Sequence, residues 1–203
     1  MQHITTLLFD LGGVLIELGD INEMMVTARG SPEAKADQWL TSPAVREFES
    51  GKCDESEFAE NMISEFRLNL SKAEFLDKFG KWPKRTFPAA ESLLEKLSGK
   101  FQLICLSNSN KTHFESFLVH QPIINLFSAT FFSHETGLLK PDLQAFENVL
   151  SALSLDPEEV FFLDDNAVNV EAARAVGIAA ERVESPYDVK QILMERMILT
   201  DQG

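Results

Sequence analysis

The stretch Leu7-Leu8-Phe9-Asp10-Leu11-Gly12-Gly13-Val14-Leu15 decides the fold. It begins as an apolar run of strand length without polar alternation, the pattern of a strand buried on both faces of a parallel α/β sheet. The run ends on an aspartate. Ligands of open parallel sheets bind beyond the carboxyl ends of the strands, so Asp10 stands where a substrate can reach it. The glycines that follow tolerate positive φ and let backbone N–H groups approach a ligand closely. An isolated aspartate at such a point is as often a helix cap or turn residue. Asp10 gains weight because three later strand ends carry polar groups of matching chemistry.

Outward from this run, Ile4 to Phe9 reads as the first strand, and about Ile21 to Phe87 is helical in pattern with no strand-like run. Ser31-Pro32 and Ser42-Pro43 each offer a cap followed by proline at the first helical position. Asp54 with Glu57, and Ser71 with Glu74, have capping-box spacing ahead of the apolar-periodic runs Phe58, Met62, Phe66 and Phe75, Leu76, Phe79. The aromatic residues here are core packing of a small helical bundle. Beyond Pro88 strand and helix alternate. Helix Ala89 to Leu97 closes at Gly99, a usual left-handed C-terminal position. Strands follow at Phe101 to Leu106, about Ala129 to Phe132, Val160 to Leu163 and Ile178 to Val183. Helices run over Thr112 to Val119, Asp142 to Leu153 and Ala167 to Val176, the last closed by Gly177; Ser185-Pro186 opens a final helix to about Met197. Such repeats imply right-handed crossovers and a Rossmann-like parallel sheet with helices on both faces, an α/β fold. Residues 1–16 and 88–203 form the core and 17–87 an inserted helical unit, with Asp201-Gln202-Gly203 a frayed end.

At 203 residues the chain suits one large domain or one domain with a smaller insert. Its 18 Lys and Arg against 32 Asp and Glu, net −14, argue against nucleic-acid or anionic-membrane partners, which rely on basic patches. A phosphate substrate is still compatible, because charges more than ~8 Å away are largely screened at physiological salt. Cys53 and Cys105 lack the spacing for a disulfide framework or a zinc site, and Cys105 reads as a small buried residue. Met1 to Thr6 lack a basic start and the apolar run breaks at Asp10, so no signal peptide is read; no stretch reaches membrane-spanning length, and the cytoplasm is the default expectation.

The strand ends gather Asp10, Ser107-Asn108, Lys140-Pro141 and Asp164-Asp165 on one sheet edge. Clustered carboxylates make a hard, oxygen-rich site suited to Mg²⁺ rather than zinc. A serine hydroxyl and the next backbone N–H cradle an anion, and a lysine adds a point charge. Together these form a site for a phosphoryl group, whose transfer depends on positioning and charge neutralisation. Taken singly, Ser107 suits a helix N-cap, Lys140 a solvated surface, Asp164 and Asp165 a helix cap, and Asn166 and Asn169 loop shaping or capping. Coincidence of all four is improbable.

Phe9-Asp10-Leu11-Gly12-Gly13-Val14-Leu15, Leu106-Ser107-Asn108, Gly137-Leu138-Leu139-Lys140-Pro141-Asp142 and Phe162-Leu163-Asp164-Asp165-Asn166-Ala167-Val168-Asn169-Val170-Glu171-Ala172-Ala173 resemble the four ordered motifs of the haloacid dehalogenase superfamily. The insert resembles that superfamily's alpha-helical cap. Phe48-Glu49-Ser50-Gly51-Lys52, followed by Asp54 to Glu60, resembles the cap of its sugar-1-phosphate phosphatase branch. The resemblance implies that Asp10 is nucleophile and Mg²⁺ ligand, that Ser107 and the Asn108 N–H hold phosphate oxygens, and that Lys140 neutralises phosphate and nucleophile. It implies Asp165 as a direct metal ligand, Asp164 through water, and Gly12 through its carbonyl. The implied activity is Mg²⁺-dependent hydrolysis of a small phosphorylated metabolite through an aspartyl-phosphate. Two alternatives are haloacid dehalogenation, which needs no metal and leaves Asp164-Asp165 unexplained, and a non-catalytic ligand-binding protein.

One departure matters. The phosphatase pattern has a second aspartate, the general acid and base, where this chain has Gly12. Such help is typically worth a factor of ~100 to ~10,000. Its absence implies good leaving groups, such as anomeric sugar phosphates or acyl phosphates, or a proton from water or a cap residue. Glu17 and Glu49 are the candidates, both expected to be exposed in so acidic a chain.

Overall fold

The computed structural model describes residues 3–25 and 38–199. The Ser31-Pro32 cap and the terminal Asp201-Gln202-Gly203 lie outside the described residues. Five parallel strands, β1 (Thr6–Phe9), β4 (Gln102–Ser107), β5 (Ala129–Phe132), β6 (Val160–Asp164) and β7 (Ala179–Arg182), form a sheet in the order β5-β4-β1-β6-β7. β1 is central and buried along its whole length. Phe9 pairs with Cys105 on one side and Leu163 on the other. Asp10, Ser107 and Asp164 therefore emerge at one edge. Successive strands lie to one side of β1 and then to the other, so the switch in strand order opens a crevice above it.

Strand alternation divides the core. Leu7, Phe9, Leu103 and Cys105 pack toward helix Ala90–Ser98 and helix Pro186–Glu195, whereas Leu8, Ile104, Phe162 and Phe146 belong to the layer of helices Leu143–Leu153 and Ala167–Ala175. The apolar runs of the sequence are thus two-faced strands, as their lack of alternation predicts. No helix among the described residues is long and apolar enough to cross a membrane.

The helices Pro43–Glu49, Glu55–Phe66 and Lys72–Gly80 share a third apolar cluster that includes Trp39, Phe48, Phe58, Met62, Phe75 and Phe79. Phe48 and Phe58 stack with centroids 4.2 Å apart. Ser42 caps the first of these helices with Pro43 in its opening turn, and both capping boxes, Asp54/Glu57 and Ser71/Glu74, form. Each satisfies backbone donors that have no partner inside the helix.

Three expectations change. The segment from Ile21 to Phe87 does contain a strand: β3 (Pro83–Thr86) pairs antiparallel with β2 (Ile16–Leu18), and the helices lie between the two. These strands are three and four residues long, with Lys84 and Arg85 exposed, so no apolar alternation marks them. Proline is tolerated at the first residue of β3. Gly99 keeps a right-handed conformation at φ −73°, whereas Gly177 adopts +88°. Helix Lys111–Ser116 begins at an Asn110 cap and gives way to 3-10 turns, so Ser107 is not its N-cap.

Candidate active site

Asp10 directly follows β1, and its backbone N–H donates to the Leu163 carbonyl at 2.9 Å, which ties the aspartate to the end of β6. Its side chain is nearly buried. Lys140 Nζ lies 3.0 Å from Asp10 Oδ1 and 2.6 Å from Asp164 Oδ2. The backbone beside that ammonium is fixed by Asn108, whose amide donates to the Lys140 carbonyl and accepts from the Lys140 N–H, both at 2.9 Å. Asp164 accepts further bonds from the Asn169 amide at 3.0 and 3.1 Å and from the Asn166 N–H at 2.8 Å. Asn166 also caps the following helix. Asp164 is therefore a fully engaged buried carboxylate, and Asp10 lies at the boundary with the cleft.

Asp10, Asp164 and Asp165 each offer an oxygen, and the three oxygens lie within 4.8 Å of one another. Burial, reinforced by the charges of Asp10 and Asp164, pushes Asp165 up to about 7. Burial likewise raises Asp10 above the usual aspartate range, against the pull of Lys140. For Lys140, burial works against the charge, but Asp10 and Asp164 outweigh it and hold the ammonium above the ordinary lysine value. One ammonium among three carboxylates leaves negative charge that a cation would relieve. The all-oxygen donor set fits a hard divalent ion such as Mg²⁺.

Gly13 makes the carboxylate cluster possible. Its φ is +73°, and a Cβ there would fall 2.3 Å from Asp165 Oδ2. Beside it Gly12 lies under β2, where a Cβ would stand 3.1 Å from Leu18 Cδ1.

Asp10, Gly12, Lys140 and Asp165 line a cleft of about 710 Å³ together with Ser107, Ser109, Trp39, Trp82, Glu49 and Arg182. Ser107 and Asn108 stand beside Asp10 and Lys140 there, so all seven residues predicted from the sequence, Asp10, Gly12, Ser107, Asn108, Lys140, Asp164 and Asp165, converge on one sheet edge. Ser109 Oγ is buried without a hydrogen-bond partner among the described residues and adds a polar atom that sequence reading missed. Asn169 was missed as a ligand-holding residue, since an asparagine in the first turn of a helix reads as local capping. Glu17 pairs with Arg85 at 2.7 Å on the two-stranded ribbon. Glu49, expected to be exposed, is partly buried in the cleft, and desolvation together with the Asp10 charge pushes it up to about 8. Residue type alone gives no sign of that desolvation, which comes from the packing of the end of helix Pro43–Glu49 beside Asp10 in the same cleft.

A family model described as haloacid dehalogenase-like hydrolase matches residues 4–177. The chain is 29% identical over 193 residues to drimenol cyclase drtB of Aspergillus calidoustus, covering 89% of this chain and 35% of that protein, so it spans about a third of that relative's length. It is 28% identical over 174 residues to sesquiterpene phosphatase astK of Aspergillus oryzae, covering 84% of this chain and 85% of that one. Among solved structures, a HAD family enzyme of Bacteroides thetaiotaomicron in complex with magnesium and inorganic phosphate superposes with a TM-score of 0.71 at 24% identity, over 88% of this chain and 93% of that one. That likeness supports the fold.

Proposed function

The chain belongs to the haloacid dehalogenase-like hydrolases, and from that premise we propose that it is a Mg²⁺-dependent phosphatase opening small phosphate monoesters through an aspartyl-phosphate on Asp10. The observation that carries this reading is the ion-paired Asp10, 3.0 Å from a buried ammonium and inside a cluster of three carboxylates at the end of the central strand. Phosphoryl transfer needs little covalent chemistry from the protein beyond a positioned nucleophile and neutralised charge. In this reading residues 17–87 act as a helical cap over the core.

The Ser107 hydroxyl, the Asn108 N–H and Lys140 hold the phosphate oxygens. The Asp10 carboxylate attacks phosphorus in line, forming the acyl phosphate as the P–O bond to the alcohol breaks. Water then attacks that phosphorus and frees inorganic phosphate and Asp10. Asp10, Asp165 and the Gly12 carbonyl would hold Mg²⁺ directly and Asp164 through water; the ion supplies charge neutralisation on the phosphate. Since Gly12 offers no acid, Glu49, which lines the same cleft and whose carboxyl is pushed up to about 8, would protonate the departing alkoxide. A relative named as a sesquiterpene phosphatase and a neighbour crystallised with magnesium and phosphate support the reading. A sugar 1-phosphate, suggested by the Phe48–Lys52 segment, would meet a cap wall of indoles and aliphatic side chains. Halide displacement needs no cation and would leave the three carboxylates unexplained.

The test is release of phosphate from p-nitrophenyl phosphate with Mg²⁺, with and without chelator, in the wild type and Asp10→Asn. Turnover that depends on Mg²⁺ and disappears in the variant is expected; turnover retained by Asp10→Asn would overturn the mechanism.

A further inference from the structure

The polar floor of the cleft lies under an apolar wall. Trp39 and Trp82, the two tryptophans of the chain, both line it with ring centroids 4.7 Å apart. Their N–H groups are already engaged. Trp82 Nε1 donates to the Gly19 carbonyl at 2.8 Å, and the Trp39 indole bonds to Glu49. His113, also on the lining, has one ring nitrogen 2.7 Å from the Phe79 carbonyl and the other 3.1 Å from the Asn110 amide. The wall therefore presents ring carbon, with its donors turned to the protein.

The mouth repeats the pattern. Leu18, Leu40 and Val168 are 37%, 46% and 59% exposed, and all three line this cleft. Singly exposed apolar residues need no explanation, but their convergence on one concave site marks a ligand surface. Leu18 also covers Gly12, so aliphatic carbon fills the space above the nucleophile loop at the position where the phosphatase pattern has its second aspartate. The volume of about 710 Å³ lies within the ~300–1,000 Å³ range of clefts that enclose a drug-sized organic molecule.

Resting on the phosphatase reading, we infer that the substrate is a phosphate monoester of a bulky apolar alcohol, its phosphate on the Asp10–Lys140 floor and its hydrocarbon body against Leu18, Trp39, Leu40, Trp82 and Val168. Sugar hydroxyls would lose their water at this wall without gaining partners, whereas each methylene would leave water at a gain.

The test uses non-hydrolysable n-alkylphosphonates from ethyl to octyl, with glucose 1-phosphate for comparison, titrated into the Mg²⁺-loaded full chain by calorimetry and by intrinsic tryptophan fluorescence. Dissociation constants should tighten roughly three- to fourfold per methylene until the wall is covered, with a change in emission that grows with chain length, since both fluorophores lie on the wall. Leu40→Glu, at an exposed position that tolerates the change in the fold, should flatten the series. Affinity independent of chain length, or glucose 1-phosphate binding as tightly as octylphosphonate, would overturn the inference. p-Nitrophenyl phosphate turnover separates the two claims. Turnover with a flat series leaves a phosphatase of another specificity, and a steep series without turnover leaves the ligand class while removing the catalysis.

Discussion

Lys140 stands closer to Asp164 than to Asp10, with Nζ 2.6 Å from Asp164 Oδ2 and 3.0 Å from Asp10 Oδ1. Its side chain is 1% exposed, so the ammonium joins two carboxylates out of water. Removing one partner of a buried ion pair typically costs about 3–5 kcal/mol because the other charge is left unpaired. Here two are left. Lys140→Met should lose about 3 kcal/mol or more in urea denaturation with chelator present, should regain part of it with Mg²⁺, and should lose phosphatase turnover. Unchanged stability would show that the carboxylates are held some other way.

Asn169 donates to both oxygens of Asp164, at 3.0 and 3.1 Å. Its amide acts on the site by fixing the plane of that carboxylate. Loss of such outer hydrogen bonds at metal sites typically costs 10- to 100-fold in metal affinity or activity. Asn169→Ala should lower kcat and Mg²⁺ affinity by about that factor and Asn169→Asp should not restore them, since a carboxylate cannot donate. If alanine affects thermal stability alone, the positioning role falls.

What could be read from the chain itself follows the range of the interactions. β1 and β6 are legible because burial on both faces demands continuous apolar runs, and Asp10 and Asp164 because a polar group must end them. Ser42, Asp54 and Ser71 are legible because capping acts within four residues. β2 and β3 are not, because Ile16–Leu18 and Pro83–Thr86 owe their pairing to segments nearly seventy residues apart in sequence. The same holds for Glu49, whose surroundings are built by Trp39 and the sheet edge, and for Leu18 above Gly12.

Gly13 tests the packing of the carboxylate cluster. At φ +73° a non-glycine residue costs about 1–2 kcal/mol, and a Cβ 2.3 Å from Asp165 Oδ2 forces that carboxylate aside. Gly13→Ala should therefore weaken Mg²⁺ binding, measured calorimetrically, by a larger factor than the strain alone explains. Equal loss in stability and affinity would mean that Asp165 tolerates the displacement.

Glu49 is pushed up to about 8, so at neutral pH it carries the proton that a poor leaving group needs. With general acid help typically worth ~100- to ~10,000-fold, Glu49→Gln should cost about 100-fold on a simple alkyl phosphate and much less on p-nitrophenyl phosphate. For the wild type acting on the alkyl ester, kcat should fall as pH rises through about 8, and that limb should be missing in the variant. A limb that survives the substitution would assign the proton to another group.

His113 couples pH to the seating of the insert on the core. Its ring stacks on Phe79 with centroids 4.1 Å apart, and its nitrogens meet the Phe79 carbonyl and the Asn110 amide. Burial disfavours the imidazolium, and although the Phe79 carbonyl favours it, the result is a value near 4, below the ordinary 6.5. Between those values the unfolded chain binds the proton and the folded one does not. The stability that the neutral ring contributes is therefore complete above pH 6.5 and is lost as pH falls toward 4. From pH 7 to pH 4.5 the loss amounts to about 2–3 kcal/mol. Asp10, Asp165 and Glu49, all raised, act with the opposite sign in this window, so the comparison must be between two chains rather than two pH values alone. Urea denaturation at both pH values should show the wild type losing about 2–3 kcal/mol more than His113→Gln, whose amide can still donate to the Phe79 carbonyl. Equal losses in the two proteins would place the acid sensitivity elsewhere.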